Sequence, residues 1–414
     1  MKKVVKEMKI AIIGGGASGL VCAITIMQKA AAERLPVKVT VFEEKNRIGK
    51  KILATGNGRC NMLNTDREPF YFSHNNFHSF AIKKYDYKSD IEFFENIGLY
   101  TRTDDEGRVY PLSNQATTVL DCLKNECDRL GVEFITEAPV QKIAKNKNGF
   151  ILNGDQYFDR VVLACGGMSS VRDFNGYKLL EFMGHKVTKV YPSLSKLNTK
   201  NTSDVKYLQG IRHKVKLSLY CNNRFVTEEK GEILFATYGL SGIAIMQMSA
   251  YITRDQKQSW EISADFVPDM SVAALKGAVE KIIRHNSDAP CGGLLAGFMP
   301  KRIGETVVKT LGIDLNRKVG TLKADDIDAI VKRAKKYSFA IDSVRPFEDS
   351  QVTAGGADTA YFNPKTMEST IVKGFYAIGE VLDVDGLCGG YNLMWAWSSG
   401  RLCGESIVRN ISGR

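Results

Sequence analysis

Apolar positions along the chain change their rhythm three times. A short apolar run, Lys9–Ile13, stops at Gly14-Gly15-Gly16-Ala17-Ser18-Gly19. Helical periodicity from Ser18 to Glu33 follows, then a second apolar run, Lys38–Glu43. Strand, glycine turn, helix, strand is a βαβ unit. A polar, loop-rich stretch runs from Lys45 to about Phe80. Asp90–Ile97 and Thr117–Leu130 read as helices, the second carrying Val119, Leu120, Leu123, Cys127 and Leu130 on one face. Val132–Ile135, Val140–Ile143 and Arg160–Ala164 read as strands, the last ending in Gly166-Gly167.

From Pro192 the rhythm becomes β-like, in runs at Lys214–Tyr220, Arg224–Thr227, Glu232–Ala236 and Trp260–Phe266. Val272–Lys336 then reads as helices. From Pro346 the chain returns to a strand, Gly374–Ile378, a glycine-rich turn, and a helix from about Leu393 to Asn410. The pattern predicts one nucleotide-binding domain split in sequence, residues 1–191 and 346–414. A module of residues 192–345 is inserted into it, β-rich over 192–268 and helical over 269–345.

Composition changes little in this picture. The 414 residues are 44% hydrophobic and 25% charged, ordinary for globular protein. The net charge of +11 raises nucleic-acid binding as an option. However, the basic residues are dispersed among 46 acidic ones, and pairs such as Lys2-Lys3, Lys50-Lys51 and Lys83-Lys84 are short, which argues against it. The nine cysteines are scattered, form no C-x-x-C pair and have no histidines at ligand spacing, so no metal is expected and a reducing cytoplasm fits. Ile10–Met27, preceded by basic Met1–Lys9, is apolar enough to suggest a leader or membrane helix. Its four glycines favour the strand, turn and buried helix instead, and no membrane partner is expected.

The glycine turn carries the first chemistry. It fits G-x-G-x-x-G, in which the glycines allow a tight turn, close approach to a pyrophosphate, and close helix–strand packing. The helix N-terminus adds free N–H groups and a positive dipole end. Glu43, at the end of the second strand, can accept hydrogen bonds from both ribose hydroxyls. This motif leaves FAD and NAD(P) both open. The C-terminal strand ending in Gly379-Glu380, and Gly389-Gly390-Tyr391-Asn392-Leu393 at the start of the last helix, favour a flavin. No second nucleotide-binding βαβ is present, so NAD(P)H is expected to act as a transient electron donor.

Several further segments are distinctive: Gly49-Lys50-Lys51, Thr55-Gly56-Asn57-Gly58-Arg59-Cys60-Asn61, Gly231-Glu232-Ile233-Leu234-Phe235, Gly239-Leu240-Ser241-Gly242, Thr353-Ala354-Gly355-Gly356, Lys365–Ser369 and Gly379–Asp383. Together they resemble a bacterial flavoprotein family that includes aminoacetone oxidase and a gut-bacterial reductase of unsaturated 3-oxo bile acids. The resemblance spans essentially the whole chain. It implies an α/β fold, a split Rossmann-like FAD-binding domain with an inserted β-rich plus helical module that covers the flavin. It also implies FAD contacts at Gly14, Gly16, Ala17, Ser18, Gly19, Glu43, Lys51, Thr55, Gly56, Val140, Gly166, Gly379, Glu380, Asn392 and Leu393. Family members commonly have Thr where this chain has Cys388, and Pro where it has Ile243.

The expected function is therefore FAD-dependent reduction of a small-molecule conjugated carbonyl compound, possessing a steroid-like skeleton on one reading, with electrons from NAD(P)H. Leu240, Ile243, Leu387, Trp395 and Trp397 are candidates for an apolar pocket, although core packing explains them equally. An amine oxidase using oxygen is the nearest alternative. An RNA-binding or RNA-modifying flavoprotein, and a non-catalytic flavin sensor, are alternatives of other classes. A thiol relay through Cys60 and Cys388 competes with simple packing of both. No histidine is nominated as a catalyst, and the oligomeric state is left open.

Overall fold

The computed structural model describes residues 7–169 and 174–413. The Lys2-Lys3 pair lies outside them. The chain divides into two compact units, one of residues 1–191 and 352–414, the other of residues 192–351. Each has its own hydrophobic core.

In the first unit, β1 (Met8–Ile13), α1 (Ala17–Ala32) and β2 (Val37–Phe42) form the βαβ unit. The chain continues through α2 (Lys50–Ala54), β3 (Leu63–Asn64), β4 (Thr101–Thr103), β5 (Arg108–Pro111), α3 (Ala116–Arg129), β6 (Glu133–Ile135), β7 (Arg160–Leu163) and α4 (Gly176–Phe182). It returns with β8 (Phe375–Ala377) and α5 (Tyr391–Ser412). The parallel sheet has the order β8-β7-β1-β2-β6. β1 and β7 are flanked on both sides by other strands, and their apolar runs are buried, as central parallel strands require.

Helix α5 packs along α1 through glycines. A Cβ on Gly400 would lie 2.6 Å from the Ser18 carbonyl oxygen, and one on Gly404 would lie 3.0 Å from that of Cys22. Trp395 and Trp397 are fully buried, and their ring N–H groups donate to the carbonyls of Gly379 and Met62 at 3.1 and 3.0 Å.

In the second unit six strands close a barrel. Their order is Leu197–Thr199, Gly239–Ser241, Arg224–Ala236, Arg212–Cys221, Trp260–Asp265 and Tyr337–Val344. Three helices, Val272–His285, Lys301–Lys309 and Ala324–Lys335, occupy the stretch read as helical.

Several local expectations are corrected. The stretch 45–80 is not all loop but holds α2, β3, a strand at Tyr71–Ser73 and a helix at Ser79–Lys84. The strand expected at Val140–Ile143 forms at Ile143–Lys145, where it pairs with Phe150–Leu152 and leaves Val140 in coil. Arg224–Thr227 and Glu232–Ala236 are one strand, because the charged residues between them pair across the hairpin, with Lys216 bridging Glu228 at 2.9 Å. Ile243–Ile252 is a helix inside the stretch read as β-rich, and Tyr337–Val344 is a barrel strand at the end of the stretch read as helical. The strand closes the barrel by pairing with Leu197–Thr199, a partner about 140 residues away that local periodicity does not register.

Candidate cofactor site

At the end of β1 the chain turns with Gly14 at φ 113°, and a Cβ there would lie 2.4 Å from the Ala164 carbonyl oxygen beyond β7. At Gly19 a Cβ would lie 2.1 Å from the Gly14 carbonyl oxygen, so the first turn of α1 sits directly on the strand end. Gly16 differs: its Cβ position has no atom within 4 Å. Gly16 is also the N-cap of α1, with no side-chain cap and no acid in the first turn. A helix start without a capping side chain, and with open space at its N-cap, suits a phosphate ligand.

Glu43 follows β2 and is half-buried. One carboxylate oxygen accepts from the Gly15 N–H at 3.0 Å and the other from the Lys45 N–H at 2.9 Å. Glu43 thus ties the glycine turn to its own loop. A cavity of about 590 Å³ opens here, lined by Gly14, Glu43 and Val140 together with Phe42, Cys165, Phe174, Asn175 and Leu179. The Asn175 amide donates to the Val140 carbonyl at 3.3 Å and closes one side.

A second cluster lies around Glu380. Lys51 meets its Oε2 at 2.6 Å, and Oε1 accepts from the Thr353 N–H at 2.9 Å. The Thr353 hydroxyl oxygen in turn accepts from the Met168 and Ser169 N–H groups at 2.8 and 3.1 Å, holding the turn that follows Gly166. Gly166 has φ 74° and open space at its Cβ position. Gly379, at φ 70°, lies against Ser18, so this cluster adjoins the start of α1 beside Ala17. Tyr177 adds an orphan: its hydroxyl is buried and has no hydrogen-bond partner among the described residues. Burial, and then the nearby Glu380 carboxylate, push its pKa up, so it is a neutral donor.

A third cluster joins the loop after α2 to the start of α5. Thr55 donates to the Ile52 carbonyl at 2.7 Å, and Gly56 has φ 57°. Asn64 donates to the Gly389 carbonyl at 2.9 Å. Asn392 binds the Gly386 N–H and carbonyl, both at 2.9 Å, and Leu393 packs against the core. Of the expected cofactor contacts only Gly14, Glu43 and Val140 line the cavity; Gly16, Ala17, Ser18, Gly19, Lys51, Thr55, Gly56, Gly166, Gly379, Glu380, Asn392 and Leu393 do not.

These observations test a dinucleotide directly. The open Gly16 and Gly166 positions, the uncapped helix, the orphan Tyr177 hydroxyl and the cavity at Glu43 all fit FAD. One comparison decides the family: a model of the HI0933-like protein Rossmann domain matches residues 8–406. The chain belongs to this HI0933-like family. It is an FAD-dependent oxidoreductase. This family member is 36% identical to the 3-dehydro-bile acid delta(4,6)-reductase of Clostridium scindens, over 97% of this chain and 99% of the relative. It is 30% identical to the ribosomal RNA dihydrouridine synthase of Haemophilus influenzae, over 96% of this chain and 98% of the relative. The ribosomal RNA dihydrouridine synthase of Escherichia coli is 29% identical, over 96% and 97% respectively.

Phe42, Cys165, Phe174, Asn175, Leu179, Thr353 and Tyr177 were not singled out from the sequence as site residues. Most are apolar and indistinguishable from core by type. Only Thr353, in the Thr353-Ala354-Gly355-Gly356 segment, had a motif to flag it. Of the apolar candidates, Leu240, Trp395 and Trp397 are buried core residues, Leu387 is half-buried and Ile243 is 54% exposed. Cys60 is fully buried, and burial pushes its thiol up to about 12, against a role in thiol relay. No cluster of metal-ligating residues exists among the described residues, and no helix there is long and apolar enough to cross a membrane.

Proposed function

We propose that the protein reduces a carbon–carbon double bond conjugated to a carbonyl in a small molecule, with NAD(P)H as electron donor. The observation that carries this reading is the 36% identity to a delta(4,6)-reductase over nearly the whole of both chains. The dihydrouridine synthases point to the same bond chemistry, since dihydrouridine is uridine reduced at a double bond conjugated to a carbonyl. The amine-oxidase alternative draws no support from these relatives.

FAD would be held by the α1 N-terminus with Gly14, Gly16, Ala17, Ser18 and Gly19, by Glu43 and Val140 at the cavity, and by Lys51, Thr55, Gly56, Gly166, Gly379, Glu380, Asn392 and Leu393 beyond it. Bound there, it supplies a two-electron carrier between donor and acceptor. The chain's own work is positioning. The N–H groups of α1 would offset pyrophosphate charge, and the Lys51 ammonium, already paired with Glu380, would add to them. Glu380, locked by Lys51 and Thr353, presents a fixed acceptor. The Tyr177 hydroxyl, which has no hydrogen-bond partner among the described residues, would be a donor for the cofactor.

A second reading, reduction of uridine in RNA, is favoured by the two synthases. One experiment separates them. The purified protein is reduced anaerobically with NADH or NADPH, then mixed with enones, with RNA lacking dihydrouridine, or with air. Fast re-oxidation by an enone supports the proposal. Re-oxidation by RNA alone, with dihydrouridine formed, establishes the second reading. Re-oxidation by air faster than by either refutes both.

A further inference from the structure

The sheet β3–β5–β4 carries a cluster that the cofactor site does not use. Tyr110 on β5 is only 4% exposed, and two guanidinium groups cover its ring. Arg59 lies 5.0 Å and Arg102 5.5 Å from the ring centre. Arg102 is the cross-strand neighbour of Tyr110 in the β4–β5 pair. Arg59 arrives from the turn that begins with Thr55 and Gly56, and its Nε donates to the Gly56 carbonyl at 3.3 Å. Arg102 donates to the Asn114 side-chain oxygen at 3.0 Å.

Charge makes the cluster unusual. The other arginine on this sheet, Arg108, is neutralised by Asp104 and Glu106, each at 2.9 Å. Arg59 and Arg102 have no carboxylate partner among the described residues, and the Tyr110 hydroxyl has no hydrogen bond there. Each guanidinium has five N–H donors in a planar fork, and stacking on an aromatic face leaves the edges of the fork free. Two such forks lie against one ring, and their free N–H donors suit an oxyanion. Tyr100 and Leu112 are 61% and 64% exposed and lie together beside it, the Leu112 N–H donating to the Tyr100 carbonyl at 2.8 Å. An apolar body can rest there while its acidic group enters the forks.

We propose that Arg59, Arg102 and Tyr110 form a binding site for the acidic group of a small-molecule reactant. That group is either a carboxylate on an apolar substrate or a phosphate on the dinucleotide donor, and the apolar pair Tyr100 and Leu112 favours the carboxylate. The assignment rests on the small-molecule reading above. Its test needs no turnover, so its failure is distinct from failure of the reductase reading, which is read from re-oxidation.

The experiment is calorimetric titration of oxidised, FAD-loaded protein. The probes are a steroid carboxylate below its micellar concentration, the matching neutral alcohol, and adenosine 2′-phosphate. Arg59→Gln and Arg102→Gln should each weaken an acidic probe by about tenfold or more, the scale of a lost charge-assisted hydrogen bond. Binding of the neutral alcohol should not change. The acidic probe that responds names the source of the anion. Arg59→Lys and Arg102→Lys, which keep the charge but not the fork, should bind with intermediate affinity. Flavin content and melting temperature, measured on every variant, separate loss of the site from loss of the fold. If both Gln variants bind acidic probes as the unmodified protein does, or carboxylate and alcohol bind alike and the phosphate not at all, the site is refuted. Arginine-dependent binding of an RNA oligonucleotide, with neither small anion bound, refutes it as well.

Discussion

Two glycines of one turn do opposite work, and substitution separates them. At Gly19 the Cβ position is occupied by the Gly14 carbonyl oxygen at 2.1 Å, so Gly19→Ala must push α1 away from β1. We expect a loss of about 2 kcal/mol or more, read from denaturant unfolding of flavin-free protein. At Gly16 the space is open, so Gly16→Val should leave flavin-free stability within about 1 kcal/mol, while flavin retention on gel filtration disappears. Equal damage to stability by both would show that the open space is not the cofactor's. Glu43 has a structural duty beside the cofactor contact proposed for it. Because its carboxylate holds the Gly15 and Lys45 N–H groups, Glu43→Ala should lower both folding stability and flavin affinity, each by about 1–3 kcal/mol. Glu43→Gln keeps an acceptor and should lose less of both. Unchanged flavin affinity in Glu43→Ala would place the ribose elsewhere.

At the scale of elements, α5 links the unit's core to its surface charge. Its Glu405 gathers Lys84 at 2.7 Å, Arg409 at 2.5 Å and the Tyr85 hydroxyl. Burial opposes ionisation, but the Lys84 and Tyr85 hydrogen bonds and the Lys84 and Lys29 charges outweigh it and hold the carboxyl down to about 2, from an ordinary 4.5. A depressed carboxyl stabilises the fold fully above the ordinary value, and the contribution is lost as pH falls through about 2. Glu405→Gln should therefore cost about 1–2 kcal/mol at neutral pH, after discounting for solvent screening. The gap between the two proteins should narrow steadily below about pH 4.5, followed by thermal melting. A gap independent of pH would remove the charge from the explanation. The α1–α5 contact is tested by Gly400→Val, whose side chain meets the Ser18 carbonyl and should lower both melting temperature and flavin retention, since Ser18 lies in the first turn of α1, where the phosphates are proposed to bind.

At the scale of the whole molecule, cofactor and fold are thermodynamically linked. A ligand bound only by the folded state stabilises it by about 2.7 kcal/mol at a hundred times its Kd. The melting temperature should rise with added FAD and less with added FMN, because the cavity at Glu43 and Val140 would receive the adenosine part that FMN lacks. Equal shifts with both would contradict the assignment of that cavity. The barrel and the parallel sheet each close on strands far apart in sequence, so segments removed from either end should unfold their unit as a whole rather than fray it.

Legibility tracked the range of the interaction involved. The βαβ unit, the glycine turn and the helices α3 and α5 rest on contacts within a few tens of residues, and periodicity with turn chemistry sufficed for them. The second unit runs to Gln351, six residues past the boundary that the pattern suggests. The barrel did not reveal itself, since its closure pairs Leu197–Thr199 with Tyr337–Val344, and each segment alone is an unremarkable short run. Nor did the cavity, whose apolar lining residues have the same types as the core and differ only in having space before them. Tyr110 and its two arginines show the same division. Arg59 stands in a conspicuous motif, but only the pairing of β4 with β5 brings Arg102 and Tyr110 beside it. Residue types and spacing set which chemistry was available; long-range pairing, whose partners are chosen by burial rather than by neighbours in the chain, set where that chemistry converges.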